Sequence, residues 1–460
     1  MQQELPALTA AVLGLSLRSF TYLDGQAPVL HNVEIEVFPG SLTVISGQSG
    51  SGKSTLGAIL AGLLPRHGMD ELVGTISVAE TQIEFSKSVT PRVDVSQWAK
   101  HTGLLPQDAG HYLSGIRGTV AEELAFSLEN AGVPREQMCQ RVQELAHKLH
   151  LEHLLERNPQ QLSGGQERLV ALAALAMSEP DVLVLDEPLA GLDQQASAVV
   201  STMITTLRAQ GTALVVLSDS IRAWAHEADS LWSLEQGMLK ALSSDEQEQQ
   251  NRTTRETPRS VPEDSRVLLS LNSVKLAYPG ASHPAVQDLD LEVRAGQCIG
   301  LAGANGSGKT TLLKAIAGLL TPVAGRLESF GESGLLLQNS SDQLFERTVL
   351  REVTFGIPKR SPLQQRVPEV LAQLGLEAYA QTHPYELPAS ARRLVALATV
   401  LVRDPEILFL DEPTEALDEA GEAILQEVIR SVLERGGAVV LSTHDAEFMK
   451  STAHRVLTLS

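Results

Sequence analysis

Two stretches of this chain have the residue types and spacing needed to hold a polyphosphate. Gly303 to Thr311 reads GANGSGKTT and Gly47 to Thr55 reads GQSGSGKST. The glycines Gly47, Gly50 and Gly52, and again Gly303, Gly306 and Gly308, let the backbone turn its N–H groups inward around phosphate oxygens. A helix starting at the same point adds positive potential. Lys53 and Lys309 can reach the outer phosphates, and the hydroxyls of Ser54 and Thr310, each followed by Thr55 or Thr311, can ligate a magnesium ion. Farther along each half, an apolar run ends in two carboxylates, Asp186-Glu187 and Asp411-Glu412. The aspartate suits the magnesium, and the glutamate suits a general base that polarises an attacking water.

These groups need a strand, a turn and a helix in close succession. Leu42 to Ser46 and Cys298 to Ala302 are short apolar runs expected to be strands that feed the two glycine-rich loops. Leu56 to Leu64, stopped by Pro65, and Leu312 to Leu320 read as the helices after them. Val12 to Tyr22 and Val33 to Phe38 read as strands, and residues 66–101 as a mainly β region. Thr119 to Gly132 and Arg135 to Leu155 read as helices, with Pro134 at a first helical position. Leu162 to Gln166 reads LSGGQ and precedes an apolar helix.

The order then repeats. Tyr22 and Tyr278 stand equally far ahead of their lysines, Gln107 and Gln338 each end an apolar strand, and Asp193 matches Asp418. Matched elements at matched spacings make an internal repeat. The second half is shorter between lysine and glutamine, so its β subdomain is expected to be reduced. Between the halves, Ser243 to Arg266 is polar and nearly free of apolar residues, which predicts a flexible linker. The predicted domains are 1–242 and 267–460, with the linker at 243–266.

The chain has 460 residues, 43% of them apolar, and a net charge of -20. That charge disfavours a broad electrostatic grip on nucleic acid, and none is expected as a partner. The two cysteines, Cys139 and Cys298, lack metal-ligand spacing and read as small buried thiols in a reducing cytosol. The longest apolar runs are too short to cross a bilayer, and no basic segment precedes an apolar one at the N-terminus, so a soluble intracellular chain is expected.

The phosphate loops, the strand-end Gln107, LSGGQ, VLVLDEP, Asp193 in GLD and the segment LSTH ending at His444 occur in an order that resembles ABC-type ATPases. The resemblance covers nearly the whole chain outside the linker. It implies an α/β fold of two tandem P-loop NTPase domains of ABC type. Each would have a parallel-sheet core, an antiparallel β subdomain (reduced in the second half) and an α-helical subdomain. The implied cofactors are ATP and Mg2+, with Ser54, Asp186, Thr310 and Asp411 as the metal ligands. Glu412, His444, Gln338 and Glu187 would serve catalysis, and Tyr22 and Tyr278 would stack on adenine. In that family two such domains pack head to tail, and each ATP lies between one domain's phosphate loop and the other's LSGGQ. Here an intramolecular pseudo-dimer is implied, with Ser163, Gly164, Gly165 and Gln166 completing the site of the second half.

A narrower resemblance lies in Gly334 to Gly356 and Glu123 to Met138, which look like the ATPases of energy-coupling factor importers for vitamins, their precursors or transition-metal ions. It implies an integral membrane coupling subunit, whose cytoplasmic helices would dock on the surface after Gln107 and Gln338, and a substrate-binding membrane subunit as partners, with peripheral placement on the cytoplasmic face of the membrane. The alternative is a soluble tandem ABC ATPase acting on ribosomes or another non-transport target. The short, acidic linker argues against that alternative, because the ribosomal members of the family join their halves by a long basic one.

Two positions depart from the pattern. Opposite LSGGQ the second half has Leu387-Pro388-Ala389-Ser390-Ala391, where Pro388 offers neither hydroxyl nor N–H. Opposite Ser442-Thr443-His444 the first half has Ser218-Asp219-Ser220, which places Ser220 at the histidine's position. By the head-to-tail arrangement both losses fall on the site built around Lys53. That site is expected to hold ATP as a lasting clamp, with turnover at the site built around Lys309.

Overall fold

The computed structural model describes residues 10–23, 25, 27–87, 89, 91–192, 194–242, 262, 264–278, 283–304, 306–339 and 343–459. Nearly all of the expected linker, and Asp193, lie outside these residues. The chain divides into two compact units, Met1–Asn251 and Arg252–Ser460.

In the first unit, β1 (Leu13–Thr21), β2 (Leu30–Val37), β4 (Glu71–Val78) and β5 (Thr81–Phe85) form an antiparallel sheet in the order β2-β1-β4-β5. Its β2 alternates, burying Leu30, Val33, Ile35 and Val37 and exposing Glu34 and Glu36, as a one-sided sheet requires. A second sheet runs β10-β9-β3-β8-β7-β6. It comprises β3 (Leu42–Ser46), β6 (Thr102–Leu105), β7 (Val182–Asp186), β8 (Ala213–Ser218), β9 (Ser230–Glu235) and β10 (Met238–Ala241). Every residue of β3, β7 and β8 is buried. Parallel strands covered on both faces need such continuous apolar runs.

The second unit repeats the plan with less. β11 (Val267–Leu276), β12 (Val286–Arg294) and β14 (Ala324–Ser329) form a three-stranded antiparallel sheet, one strand fewer than in the first unit. The parallel sheet runs β15-β16-β17-β13-β18, from β13 (Cys298–Ala302), β15 (Ser333–Leu336), β16 (Ile407–Asp411), β17 (Ala438–Ser442) and β18 (Arg455–Thr458). The two units thus share the expected α/β plan of a parallel sheet beside an antiparallel one. Of the two cysteines expected to be buried, Cys298 is, but Cys139 lies exposed on a surface helix.

Several boundaries differ from the sequence reading. The helices after the phosphate loops are Lys53–Leu60 and Lys309–Ile316, shorter than expected. They stop because Gly62 (φ 74°) and Gly318 (φ 80°) take the left-handed conformation that ends a helix, ahead of any proline. The expected helix over Arg135 to Leu155 breaks after Lys148, where His150 has φ 57°, and resumes as a single turn at Glu152–Leu154. Pro134 is the residue before the first helical position, with φ -59° and extended ψ. Among the described residues no helix is long and apolar enough to cross a membrane.

Candidate functional site

Each phosphate loop leaves a fully or largely buried strand, β3 or β13, and enters a helix through a left-handed glycine, Gly52 (φ 105°) or Gly308 (φ 94°). A Cβ at Gly308 would lie 2.4 Å from the Ala285 carbonyl oxygen, so close approach as well as conformation demands glycine. Each lysine is folded onto its own loop. Lys53 Nζ donates to the carbonyls of Gly47 (2.6 Å) and Gln48 (3.2 Å), and Lys309 Nζ to those of Gly303 (2.8 Å) and Ala304 (3.2 Å). Tyr22 and Tyr278 flank the loops. The Tyr22 hydroxyl lies 3.0 Å from Thr55 Oγ1, and Thr311 Oγ1 donates to the Tyr278 hydroxyl at 3.4 Å.

The strand-end carboxylates sit where β7 and β16 leave their sheets. Glu187 (φ 49°) and Glu412 (φ 47°) hold left-handed conformations unusual for glutamate, strain that clusters at functional sites. In the second unit Asp411 Oδ1 accepts from Ser442 Oγ at 2.7 Å, while Oδ2 is buried with no hydrogen-bond partner. An anionic oxygen left without a donor fits a cation. In the first unit burial raises the Asp186 carboxyl and the Ser54 side chain pulls it down, so the two expected ligands stand close together. The donor sets, Ser54 with Asp186 and Thr310 with Asp411, are all oxygen, as magnesium prefers. When bound, the ion would offset the charge of the phosphates.

Glu412 Oε2 accepts from the His444 backbone N–H at 3.0 Å, and His444 Nε2 lies 3.2 Å from Oε1, near enough to attract but not aligned as a hydrogen bond. Burial pushes the Glu412 carboxyl up to about 7, against the pull of the His444 N–H and Lys309. A carboxyl poised there can take a proton from water near neutrality. Lys309, Thr310, Gln338, Glu412 and His444 line one cavity of about 190 Å³, together with Gly306, Gly308 and Thr311.

The first unit differs, and the sequence reading of it needs correction. The parallel register pairs Asp186 with Leu217 and Asp411 with Ser442. Correspondingly, Glu187 N donates to Leu217 O and Glu412 N to Ser442 O. Two residues beyond these partners stand Asp219 and His444. The position of the histidine is therefore held by Asp219, and Ser220 lies one residue past it. The shared Leu-Ser pair misled the sequence comparison, because β8 runs one residue longer than β17. The count from Asp186 to Asp219, equal to that from Asp411 to His444, carries the right signal. Glu187 is raised to about 8, by burial first and then by Asp219.

The LSGGQ helix, Gly164–Ala176, begins with a reciprocal cap. Ser163 Oγ accepts from Gln166 N (3.4 Å), and Gln166 Oε1 accepts from Ser163 N (3.2 Å). A Cβ at Gly164 would meet nothing within 4 Å, so its own unit does not require glycine there. The matching helix, Ala389–Leu401, starts at Pro388 without a side-chain cap. Ser390, which could have stood in for the lost serine, is buried and donates to Asp418 Oδ1 at 2.9 Å.

Two arginines escaped the sequence reading. Arg168 donates to the carbonyls of Gln107, Glu187 and Ala190. Arg393 donates to those of Leu337, Gln338, Asp411 and Glu412. Each ties the backbone of the strand-end glutamine to the backbone at the strand-end acidic pair of its own unit. Both stand in the helix that follows the LSGGQ position, and their burial was not visible from composition. A cavity of about 310 Å³ in the first unit is lined in part by Gln107, Gly164 and Arg168.

Comparison with known proteins agrees with this geometry. The ABC transporter family model matches residues 30–190 and 286–415, once in each unit. A protein of Methanosarcina mazei named "Putative ABC transporter ATP-binding protein" is 30% identical over 96% of this chain and 92% of its own length. A Bacillus subtilis protein named "Putative HMP/thiamine import ATP-binding protein YkoD" is 29% identical over 96% of this chain and 88% of its own length. Among solved structures, an RNase-L inhibitor shares the fold at a TM-score of 0.69 and 22% identity, over 96% of this chain and 87% of that one. With a family match in both units, and with paired phosphate loops and strand-end carboxylates, the chain belongs to the ABC transporter family and is a tandem ATPase that uses ATP and magnesium.

Proposed function

We propose that this protein is the ATP-hydrolysing subunit of an importer of energy-coupling factor type, driving uptake of a small molecule through membrane partners. The observation that carries the reading is the full-length similarity to the Bacillus subtilis protein named for HMP/thiamine import. Exposed aromatic residues add support. Phe345 and Phe355, 61% and 50% exposed, stack edge-on at 4.5 Å in the segment after Gln338, where the family resemblance implies a coupling subunit would dock. The substrate would be a vitamin, its precursor or a transition-metal ion, and the protein would lie peripherally on the cytoplasmic face of the membrane.

The two halves, 1–242 and 267–460 joined by 243–266, would work as a pseudo-dimer with unequal sites. Turnover would occur at the site with Lys309, Thr310, Gln338, Asp411, Glu412 and His444, completed by Ser163, Gly164, Gly165 and Gln166. The site with Lys53, Ser54, Gln107, Asp186 and Glu187 would bind nucleotide and turn it over slowly, because Asp219 replaces the histidine and Pro388 replaces the signature serine. Co-expression with a candidate coupling subunit should carry the protein into the membrane fraction, and Phe345→Asp with Phe355→Asp should release it. A protein that stays in the soluble fraction beside every such subunit and sediments with ribosomes would favour the ribosomal reading instead.

A further inference from the structure

In the first unit the lysine of the phosphate loop is already paired. Beyond its two carbonyl partners, Lys53 Nζ donates to Asp219 Oδ1 at 2.6 Å. The pair is sheltered, with side-chain exposures of 8% and 25%. Lys309 keeps the two equivalent loop carbonyls and, among the described residues, meets no carboxylate within ion-pair distance. The difference follows from the strand register, which sets Asp219 in one unit where it sets His444 in the other.

Asp219 also stands beside Glu187, whose carboxyl its charge raises. Its backbone position, one residue past β8, is fixed by the strand register, so its charge stays near the loop when a phosphate takes its place on Lys53. After the exchange Asp186, Glu187 and Asp219 would face the phosphate tail with one lysine. In the second unit Asp411 and Glu412 face it with a lysine and an imidazole. The charge that Asp219 opposes most is that of the terminal phosphate, because repulsion grows as separation shrinks and the site is partly shielded from solvent.

We infer that Asp219 is an internal anion that latches Lys53 and makes the first unit's loop favour a nucleoside diphosphate over a nucleoside triphosphate. The inference rests on the reading that both loops bind nucleotide. It changes what the first site does. In place of a lasting ATP clamp, that site senses the diphosphate, and ATP engages it only by prising Lys53 from Asp219.

The test uses the full chain carrying Lys309→Ala, which silences the second loop, with Mg-ADP and Mg-ATP titrated separately by calorimetry. With Asp219 present, ADP should bind at least as tightly as ATP. Asp219→Asn, which keeps the size and removes the charge, should tighten ATP by about tenfold and ADP by less, and Asp219→His should move the ratio further the same way. Should the histidine variant fail to fold, Asp219→Thr takes its place beside the asparagine variant, with thermal melts confirming the folded state. ATP bound at least tenfold more tightly than ADP by the chain that retains Asp219 would overturn the inference. So would an ADP-to-ATP ratio that stays put in the neutral variants. Lys53→Ala in the same background separates the two layers. If it leaves nucleotide binding intact, the reading of the loop itself fails. If it abolishes binding while the ratio ignores Asp219, only the latch fails.

Discussion

Glu412 and His444 meet at two points in the second unit: the histidine's backbone N–H donates to Oε2 at 3.0 Å, and its Nε2 lies 3.2 Å from Oε1. The glutamate is thereby aimed, and its burial keeps its affinity for a proton near that of neutral solution. Glu187 shares the burial but lacks the imidazole. Glu412→Gln should therefore lower steady-state ATPase activity about a hundredfold or more, while Glu187→Gln leaves most of it. Equal losses from the two substitutions would mean that both sites turn over.

Ser163→Ala is expected to act in two ways that separate by measurement. Loss of the cap should cost the first unit about 1 kcal/mol, read as a small fall in melting temperature. Loss of the signature hydroxyl should cut turnover as deeply as a substitution in the second unit. A melting shift with full ATPase activity would reduce Ser163 to a helix cap.

Gly308→Ala should damage the second loop and little else. The residue sits at φ 94°, and the new methyl would press on the Ala285 carbonyl at 2.4 Å. A left-handed alanine alone costs about 1–2 kcal/mol, so nucleotide affinity in the second half should fall about tenfold or more. Nucleotide titration with the first loop silenced by Lys53→Ala reads this directly. Unchanged affinity would show that the loop relaxes without penalty.

Arg393 should matter for stability out of proportion to its distance from solvent. Its guanidinium, held down to about 10 by burial, serves four carbonyls, of which that of Glu412 also accepts from Glu415 N at 3.1 Å. Arg393→Met should destabilise the second unit by about 3 kcal/mol or more, because each buried acceptor left without a donor costs about 1–3 kcal/mol. Arg393→Lys should recover less than half, since an ammonium lacks the planar fork. Denaturant midpoints of the full chain give the comparison, and a midpoint unmoved by the methionine would contradict it.

Much of this molecule was legible in its sequence because the chemistry is local. A phosphate loop needs its glycines, lysine and hydroxyl within one turn, and buried parallel strands need unbroken apolar runs. GQSGSGKST, GANGSGKTT, VLVLD and ILFLD announce themselves for that reason, and the fold class and repeat follow from their order. Tertiary structure alone decided what depends on hydrogen bonds between distant strands. The pairing of β7 with β8 set Asp219 in the histidine's place: the equal spacing from Asp186 and from Asp411 pointed there, the Leu-Ser match pointed to Ser220, and the register chose between them. The fold also brought Lys53 and Asp219, far apart in the chain, to 2.6 Å, and it buried Arg168 and Arg393 beneath their sites. Residue type reports what a side chain can do, while register and burial determine which charge it faces.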